Sequence, residues 1–449
     1  MKMSLDPAFL AGVRDGLHPL HEAFATQYPG DRPDRQPVHT VYGGAHLFRA
    51  DSARKLGNVA LEFMERYAPD PPTLAEAFGL DDSSLASTIH ARVTDKLTRE
   101  PVEDFRLDFE DGYGNRPDHE EDACAVSAAG EVATGMANGS LPPFIGIRIK
   151  PFSTELFARG SRTVDLFLTA LWERTGGVLP PGFVVTLPKV VGASQVAALV
   201  AILEQLEQTN GLEAGSIRLE IMVETTQSII DAAGVCPLLQ FVEAARGRCA
   251  GAHFGVYDYT ASCGITAAYQ AMRHPACDQA RQVMQQALAG TGVWLSDGAT
   301  NILPVPPHRP EPEGALLTTD QLEENRTVVH KAWRLHYDDV RHSLATGFYQ
   351  GWDLHPAQLV SRFTALDAFF QEGYASASAR LSNFIAQAAQ ATLVGDVFDD
   401  AATGQALLNY FLRGLNCGAI TEAEVLATGL NLEELESRSF LRILEGRRE

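Results

Sequence analysis

Short apolar runs alternate with longer amphipathic stretches along most of the chain. Eight runs have the length and the β-branched or aromatic content of strands: Val38–Tyr42, Phe105–Phe109, Phe144–Ile149, Phe183–Leu187, Ile217–Val223, Ala252–Val256, Gly292–Leu295 and Leu344–Tyr349. Helical stretches such as Ser194–Gln208, Gln227–Ala245 and Asp278–Leu288 separate most of them. This alternation predicts a parallel sheet, and eight repeats favour a closed (β/α)8 TIM barrel over an open, doubly wound sheet. No GxGxxG segment follows the first strand, which argues against a dinucleotide-binding sheet.

The pattern divides the chain into three predicted parts: an N-terminal helical segment at 1–36, the barrel at 37–362 with a helical insertion at about 71–100, and a helical C-terminal region at 363–449. Asp6 precedes a proline at the start of the first amphipathic helix, as at many helix N-termini. In the C-terminal region, Thr421-x-x-Glu424 and Asn431-x-x-Glu434 have the capping-box pattern. We expect this region to form a small domain, a lid or an arm on a neighbouring subunit.

Composition narrows the class of protein. A length of 449 residues suits one large barrel with helical additions, and a net charge of −21 argues against a nucleic-acid partner. We find no apolar stretch long enough to span a membrane and no secretory signal, so we expect a cytoplasmic protein. The six cysteines are scattered without a CxxC pair, which indicates neither a disulfide framework nor a structural zinc site.

Polar residues follow several predicted strands, at the end where a barrel of this type builds its active site. Three carboxylates, Asp108, Glu110 and Asp111, lie within four residues after the second strand. They either form a solvated loop or belong to the site. Arg148 interrupts the β-branched third strand, and a buried guanidinium there needs an anion. We expect it to pair with these carboxylates or to bind a substrate carboxylate through both prongs of its fork.

Two further strand ends carry candidate catalytic residues. Lys189 follows the fourth strand, where it could hold an anionic ligand, orient a carboxylate, form a Schiff base or make a supporting ion pair. Asp353 and His355 follow the eighth strand, and the proline after His355 stiffens their loop. We expect both side chains to face the mouth of the barrel.

Glu224 and Asp258 occupy equivalent places after the fifth and sixth strands. Because adjacent strands lie about 4.8 Å apart, the two carboxylates could share one hard cation. Magnesium takes oxygen ligands, needs only one or two protein carboxylates and keeps positions open for water and substrate. The pair therefore predicts a magnesium site, with a purely structural pair of carboxylates as the alternative.

Several of these segments resemble the citrate lyase beta-subunit-like (HpcH/HpaI aldolase) superfamily, which also contains the 2-oxo-acid aldolases, the malyl-CoA lyases and, more distantly, malate synthase. The segments agree in order and spacing over about Val38 to Gln358, and they are Asp108-Phe109-Glu110-Asp111, Arg148, Leu187-Pro188-Lys189, Glu224-Thr225, Phe254-Gly255-x-x-Asp258-Tyr259-x-Ala261 and Gly351-x-x-x-His355-Pro356-x-Gln358.

The resemblance implies a barrel with Mg²⁺, or Mn²⁺ in its place, on Glu224 and Asp258. It implies that Arg148 holds a carboxylate or enolate oxygen of the substrate, and we expect Gly255 and Tyr257 to contact the substrate as well. The reaction that it implies makes or breaks a carbon–carbon bond next to a 2-oxo acid through a metal-stabilised enolate. We expect a homo-oligomer that acts on a small molecule.

The sequence does not decide which residue is the general base. The candidates are Glu110, Asp111, Asp353 and His355, with Lys189 in a supporting position. The histidine base that is typical of the 2-oxo-acid aldolases after the second strand is replaced here by Gly112-Tyr113-Gly114.

The first strand and its turn, Val38 to His46, lack the basic residue and the apolar-Pro-Gly turn of the members that use CoA. We also find no basic cluster for a CoA diphosphate, so a free 2-oxo acid is favoured. The alternatives are a CoA-thioester lyase or synthase and a barrel that has lost catalysis and serves as a binding protein. The charges at the strand ends argue against the last.

Overall fold

Eight parallel strands close into a barrel in the computed structural model, which describes residues 4–310, 316–386, 392–394, 397–399 and 401–447. The strands follow chain order around the ring: β1 (His39–Gly44), β2 (Asp104–Asp108), β3 (Phe144–Arg148), β4 (Val184–Leu187), β5 (Arg218–Val223), β6 (Cys249–Phe254), β7 (Trp294–Ala299) and β8 (Gln350–Asp353). β8 pairs with β1, from His39 opposite Gly351 to Val41 opposite Asp353, and this pairing closes the ring. The predicted (β/α)8 TIM barrel is confirmed.

Helices lie between the strands and at both ends of the chain. They are α1 (Pro7–Gln27), α2 (Ser52–Tyr67), α3 (Pro71–Phe78), α4 (Ser83–Arg99), α5 (Asp118–Asn138), α6 (Phe157–Thr175), α7 (Ala193–Asn210), α8 (Thr226–Ile229), α9 (Leu238–Ala244), α10 (Val256–Ser262), α11 (Pro275–Leu288), α12 (Thr319–Ala345), α13 (Gln358–Ala386), α14 (Ala401–Asn416), α15 (Glu422–Leu426), α16 (Leu432–Glu436) and α17 (Phe440–Gly446). No helix among the described residues is long and apolar enough to cross a membrane.

The additions to the barrel follow the sequence pattern closely. The Asp6 carboxylate accepts the Ala8 N–H at the start of α1, and both C-terminal capping boxes are present, at Thr421 and at Asn431. α3 and α4 form the helical insertion between β1 and β2, where α4 packs against α2 and α13. In the predicted helical C-terminal region there is also a short antiparallel pair, β9 (Thr392–Val394) and β10 (Val397–Asp399).

Two predicted elements have different bounds in the structure. The run Leu344–Tyr349 is the end of α12 and a turn, in which Gly347 has a φ of 86°, and β8 begins only at Gln350. The predicted helix Gln227–Ala245 is broken into α8 and α9 by a turn. A short apolar run reports burial rather than backbone conformation, so it cannot distinguish a buried turn from a strand.

Alternate residues of each strand point into the barrel or out towards the helices. On β2, Asp104, Arg106 and Asp108 share one side and contact residues of other barrel strands, whereas Phe105 and Leu107 lie on the apolar side and are buried in the core. The barrel interior is therefore unusually polar.

The lower part of this interior is a closed network around Arg106. Its guanidinium donates to Glu220 across the barrel at 2.8 Å and also bonds Asp104. His253 lies 3.1 Å from the other Glu220 oxygen and 3.4 Å from the Tyr42 hydroxyl. A buried charge is tolerated only when it is paired and hydrogen-bonded, and each charge in this layer has its partner.

Asp353 belongs to the outward face of β8, contrary to the expectation that it faces the mouth. The pleat sends Trp352 inwards and Asp353 outwards. Its carboxylate accepts Arg362 Nη2 of α13 at 2.8 Å and lies 3.1 Å from His336 Nε2 and 3.2 Å from His39 Nδ1. Asp353 is 1% exposed. Burial alone would raise the pKa of this carboxyl, but Arg362 and the two histidines hold it well below its usual value.

Replacing Asp353 with Asn should destabilise the fold, because it leaves the buried Arg362 without a counter-ion. We expect a loss of about 3–5 kcal/mol in the free energy of unfolding at neutral pH. A carboxyl whose pKa is depressed by folding contributes stability above its unfolded pKa, so the difference from wild type should shrink as the pH falls below about 4. Urea unfolding followed by circular dichroism measures both effects.

Asp15→Asn is a matched control, since the Asp15 side chain is 70% exposed on α1, and it should change stability by less than about 0.5 kcal/mol. An equally small change for Asp353→Asn would contradict the assigned role of the ion cluster.

Candidate active site

Charged side chains from β2 to β6 converge at the carboxyl ends of the strands. They are Asp108 and Glu110 after β2, Arg148 at the end of β3, Lys189 after β4, Glu224 after β5 and Asp258 in the first turn of α10. In a (β/α)8 barrel this end carries the active site.

Asp108 shapes the loop after β2. Its two oxygens accept the backbone N–H groups of Glu110 at 2.9 Å and Gly112 at 2.8 Å, which turns the chain at once after the strand. The same carboxylate accepts Arg148 Nε at 2.8 Å and Nη2 at 2.5 Å. Burial works to raise the pKa of Asp108, but the Arg148 guanidinium holds it below its usual value.

Arg148 is 1% exposed and already uses both prongs of its fork on Asp108. The edge that remains is Nη1, which lies 3.1 Å from Glu110 Oε2 but makes no hydrogen bond with aligned geometry. Its guanidinium carbon lies 4.8 Å from the Tyr42 ring centroid and 5.3 Å from that of Trp352. Arg148 therefore pairs with the carboxylates after β2, as one of the two expectations had it, and a two-pronged contact with a substrate carboxylate stays a prediction that would need the Nη1–Nη2 edge.

Lys189 links three carboxylates. Its Nζ donates to Glu110 Oε1 at 2.7 Å and to Asp258 Oδ2 at 3.0 Å, and its backbone N–H donates to Glu224 Oε1 at 2.7 Å. The residue has a φ of 51°, a left-handed conformation that points the N–H and the side chain into the same cluster. Burial would lower the pKa of Lys189, but Glu224 and Glu110 raise it above its usual value. A firmly protonated ammonium is a counter-ion and not a Schiff-base nucleophile.

Glu224 is buried, at 2% exposure. Burial, with the negative charge of Glu110 next, raises its pKa to about 8. Gly255 makes room for it, since a Cβ at that position would lie 2.5 Å from Glu224 Oε2. Asp258 has a side chain that is 43% exposed and lies at the solvent edge of the cluster.

Among the described residues, no group of three or more His, Cys, Asp or Glu side chains has the arrangement of a metal site. The Glu224 and Asp258 carboxylates nevertheless offer the hard oxygen donors that Mg²⁺ prefers, and Mg²⁺ needs only one or two of them. Glu110 and Asp258 both raise the pKa of Glu224, so there is excess negative charge that a cation would neutralise. These residues fit a magnesium ion, and the Lys189 ammonium now supplies part of that neutralisation.

A family model with the description "Domain of unknown function (DUF6986)" matches residues 17–443. The chain belongs to the DUF6986 family. No curated protein matches the chain.

Solved structures superpose on this DUF6986 member at low identity. A citrate lyase from Burkholderia xenovorans LB400 superposes with a TM-score of 0.53 and 17% identity, over 88% of this chain and 97% of that chain. Protein CitE from Mycobacterium tuberculosis, in complex with magnesium, acetoacetate and coenzyme A, has a TM-score of 0.46 and 18% identity over 86% and 98% of the two chains. Haloferax volcanii malate synthase has a TM-score of 0.45 and 17% identity over 92% and 98%. The likeness to the citrate lyase shows a common fold.

The DUF6986 chain brings together most residues predicted for the site, but not all of them. Asp111 lies at the rim, with a side chain that is 64% exposed and 3.7 Å from Arg148 Nη2. The Tyr257 hydroxyl is engaged, since it donates to Ala299 O and accepts the Asn301 N–H.

His355 and Asp353 lie outside the charged cluster. The His355 Nδ1 accepts the Ala357 N–H at the start of α13, and its ring packs on Phe63 of α2. Burial lowers the pKa of His355, which favours the neutral ring. Asp353 faces outwards, as the pleat of β8 requires.

Trp352 and Tyr42 were missed as site residues. Their rings lie 4.3 Å apart between centroids and cover Arg148 from the β8–β1 side of the barrel. The pleat could have revealed Trp352, because a strand that sends Asp353 outwards must send its neighbour inwards. The shift in the predicted bounds of β8 hid that signal.

Proposed function

We propose that this DUF6986 member is a magnesium-dependent carbon–carbon lyase of the aldolase type, acting on a 2-oxo acid or hydroxy-oxo acid through an enolate. The observation that carries the proposal is the cluster at the mouth, where Glu224 and Asp258 lie beside a buried cation, Arg148, whose Nη1 has no hydrogen bond. A pair of carboxylates with a neighbouring guanidinium suits a substrate with adjacent carboxylate and keto oxygens. The barrel shared with a citrate lyase agrees with this reading.

Glu224 and Asp258 would hold the magnesium ion, which would supply Lewis-acid polarisation of the keto group. Arg148 places positive charge beside the developing enolate oxygen, and Asp108 keeps its guanidinium in one orientation. The Lys189 ammonium holds Glu110 and Asp258 in the cluster. A cavity of about 530 Å³ opens beside Lys189, between Phe152 and Val191, and offers room for the rest of a substrate.

Glu110 is the best-placed base among the candidates. Its Oε1 is held by Lys189, while its buried Oε2 has no hydrogen bond. Burial raises its pKa, which makes the carboxylate a better proton acceptor. In the cleavage direction Glu110 would take the proton of the 4-hydroxyl group as the C3–C4 bond breaks. The electron pair of that bond passes into the enolate, and the proton later returns to the enolate carbon.

Glu224→Gln and Asp258→Asn should each abolish magnesium binding, because each removes one of two charged oxygen ligands. Calorimetric titration with Mg²⁺ measures this, with circular dichroism as the check on the fold. Glu213→Gln is a control for the lost charge, since Glu213 is exposed in the turn before β5, and it should bind Mg²⁺ like wild type. If either site variant keeps the wild-type affinity, the metal assignment is wrong.

Glu110→Gln should slow enolate formation by about 10²–10⁴-fold, the usual contribution of a general base. The exchange of the pyruvate methyl protons with D₂O, followed by proton NMR in the presence of Mg²⁺, measures this step directly. The Glu213→Gln variant should exchange at the wild-type rate. If Asp111→Asn slows the exchange more than Glu110→Gln does, the base is Asp111 at the rim of the site.

A CoA thioester is the second candidate, and one observation favours it. His46, Arg49 and Arg116 line a pocket of about 360 Å³ beside Tyr113, in the loops after β1 and β2. Burial lowers the pKa of His46, and the charges of Arg116 and Arg49 lower it further, so the two arginines create a positive potential at His46. This basic group is not apparent in the sequence, because Arg116 is distant from His46 and Arg49 along the chain.

Thermal unfolding with added ligands separates the two candidates, since a ligand that binds only the folded state raises the midpoint. For the free-acid enzyme we expect pyruvate with Mg²⁺ to raise the midpoint and acetyl-CoA to leave it unchanged. Stabilisation by acetyl-CoA that disappears in Arg49→Gln and Arg116→Gln, with none by pyruvate, would favour the CoA thioester.

A further inference from the structure

The indole of Trp352 presents a buried hydrogen-bond donor that no described residue uses. Its Nε1 is shielded from solvent and has no hydrogen-bond partner. Trp333 provides the contrast, since its buried Nε1 donates to Ala357 O at 2.7 Å. Buried donors are rarely left unpaired, and each exception calls for an explanation such as a catalytic role or a bound water or ion.

Trp352 lies inside the barrel and next to the charged cluster. Its ring contacts Tyr42, with 4.3 Å between centroids, and lies 5.3 Å from the Arg148 guanidinium carbon. The contacts with Tyr42 and Arg148 hold the indole in place beneath the mouth. The fold itself therefore fixes the position of the Trp352 N–H.

Arg148 offers a second donor, and its guanidinium carbon lies 5.3 Å from the Trp352 ring centroid. Asp108 occupies the Nε–Nη2 edge of that guanidinium, and the buried Nη1 lies 3.1 Å from Glu110 Oε2 without an aligned hydrogen bond. A neutral donor and a charged donor together suit an acceptor with two oxygens and a negative charge. A carboxylate has two oxygens and a negative charge, whereas a neutral carbonyl has one oxygen and no charge.

We propose that Trp352 Nε1 and Arg148 Nη1 together form the subsite for the carboxylate of a 2-oxo acid. The subsite rests on the proposed function for the identity of the ligand, and it uses the side of Arg148 that Asp108 leaves free. The Trp352–Tyr42 pair forms an aromatic wall against which a planar 2-oxo acid can lie. Glu110, whose Oε2 lies 3.1 Å from Arg148 Nη1, then stands beside the bound ligand.

The indole N–H signals test the subsite in the wild-type protein. The chain has four tryptophans, so a ¹⁵N-correlated NMR spectrum shows four indole resonances, and Trp352→Phe identifies the one that belongs to Trp352. Pyruvate with Mg²⁺ should move this resonance downfield, because the N–H gains a charged acceptor. If pyruvate binds and this resonance stays in place, the subsite is wrong.

Trp352→Phe also tests how much the Trp352 N–H contributes to pyruvate binding, since it keeps an aromatic ring and removes the N–H. We expect it to weaken pyruvate binding by about 10- to 100-fold, as for a hydrogen bond to a charged group, and to reduce the preference for pyruvate over the neutral pyruvamide. Trp294→Phe is the matched control, since Trp294 lies at the opposite end of the barrel against Arg32, and it should bind like wild type.

The outcomes separate the subsite from the proposed function. Unchanged pyruvate affinity and unchanged selectivity in Trp352→Phe, with normal loss of magnesium in Glu224→Gln, would overturn the subsite and leave the lyase proposal standing. If the wild-type protein neither binds pyruvate nor exchanges the methyl protons of pyruvate, both the subsite and the lyase proposal are wrong. Loss of selectivity in Trp352→Phe with an intact circular dichroism spectrum supports the subsite.

Discussion

Buried charge inside a closed barrel is the constraint on which this structure depends. The pleat points alternate residues of β2 into the interior, and these residues are Asp104, Arg106 and Asp108. A charge in such a place is stable only with an opposite charge or hydrogen bonds around it. The neighbouring strands supply the partners, with Glu220 opposite Arg106 and Arg148 opposite Asp108. The requirement to pair these charges determines which residues fill the interior of the barrel.

The two layers of the interior satisfy this requirement differently. Around Arg106, the lower network leaves no charge without a partner among the described residues, so it holds the strands together across the barrel. Around Arg148, the upper layer has buried atoms without a hydrogen bond, namely Arg148 Nη1 and Glu110 Oε2, which face each other at 3.1 Å, and Trp352 Nε1. Buried polar groups without hydrogen bonds are costly, so this layer is less fully satisfied than the one around Arg106.

Lys189 holds three acids together at the mouth of the barrel. Its ammonium bonds Glu110 and Asp258, and its backbone N–H bonds Glu224. Burial, and then the negative charge of Glu110, raises the pKa of Glu224 to about 8. In the proposed function, Glu224 and Asp258 would hold a divalent cation that offsets this negative charge.

The sequence by itself determined the barrel, the helical additions and most members of the charged cluster. Strand–helix alternation and polar residues at strand ends are local features, and burial of an apolar face requires only the local period. The tertiary structure decided the side to which each residue points: β8 extends to Asp353, so its pleat places Asp353 on the outward face and Trp352 on the inward face. The pairing of charges on neighbouring strands was likewise decided only by the tertiary structure. Asp108 and Arg148 lie 40 positions apart in the chain, and this spacing does not reveal that the Asp108 carboxylate accepts Nε and Nη2 of Arg148.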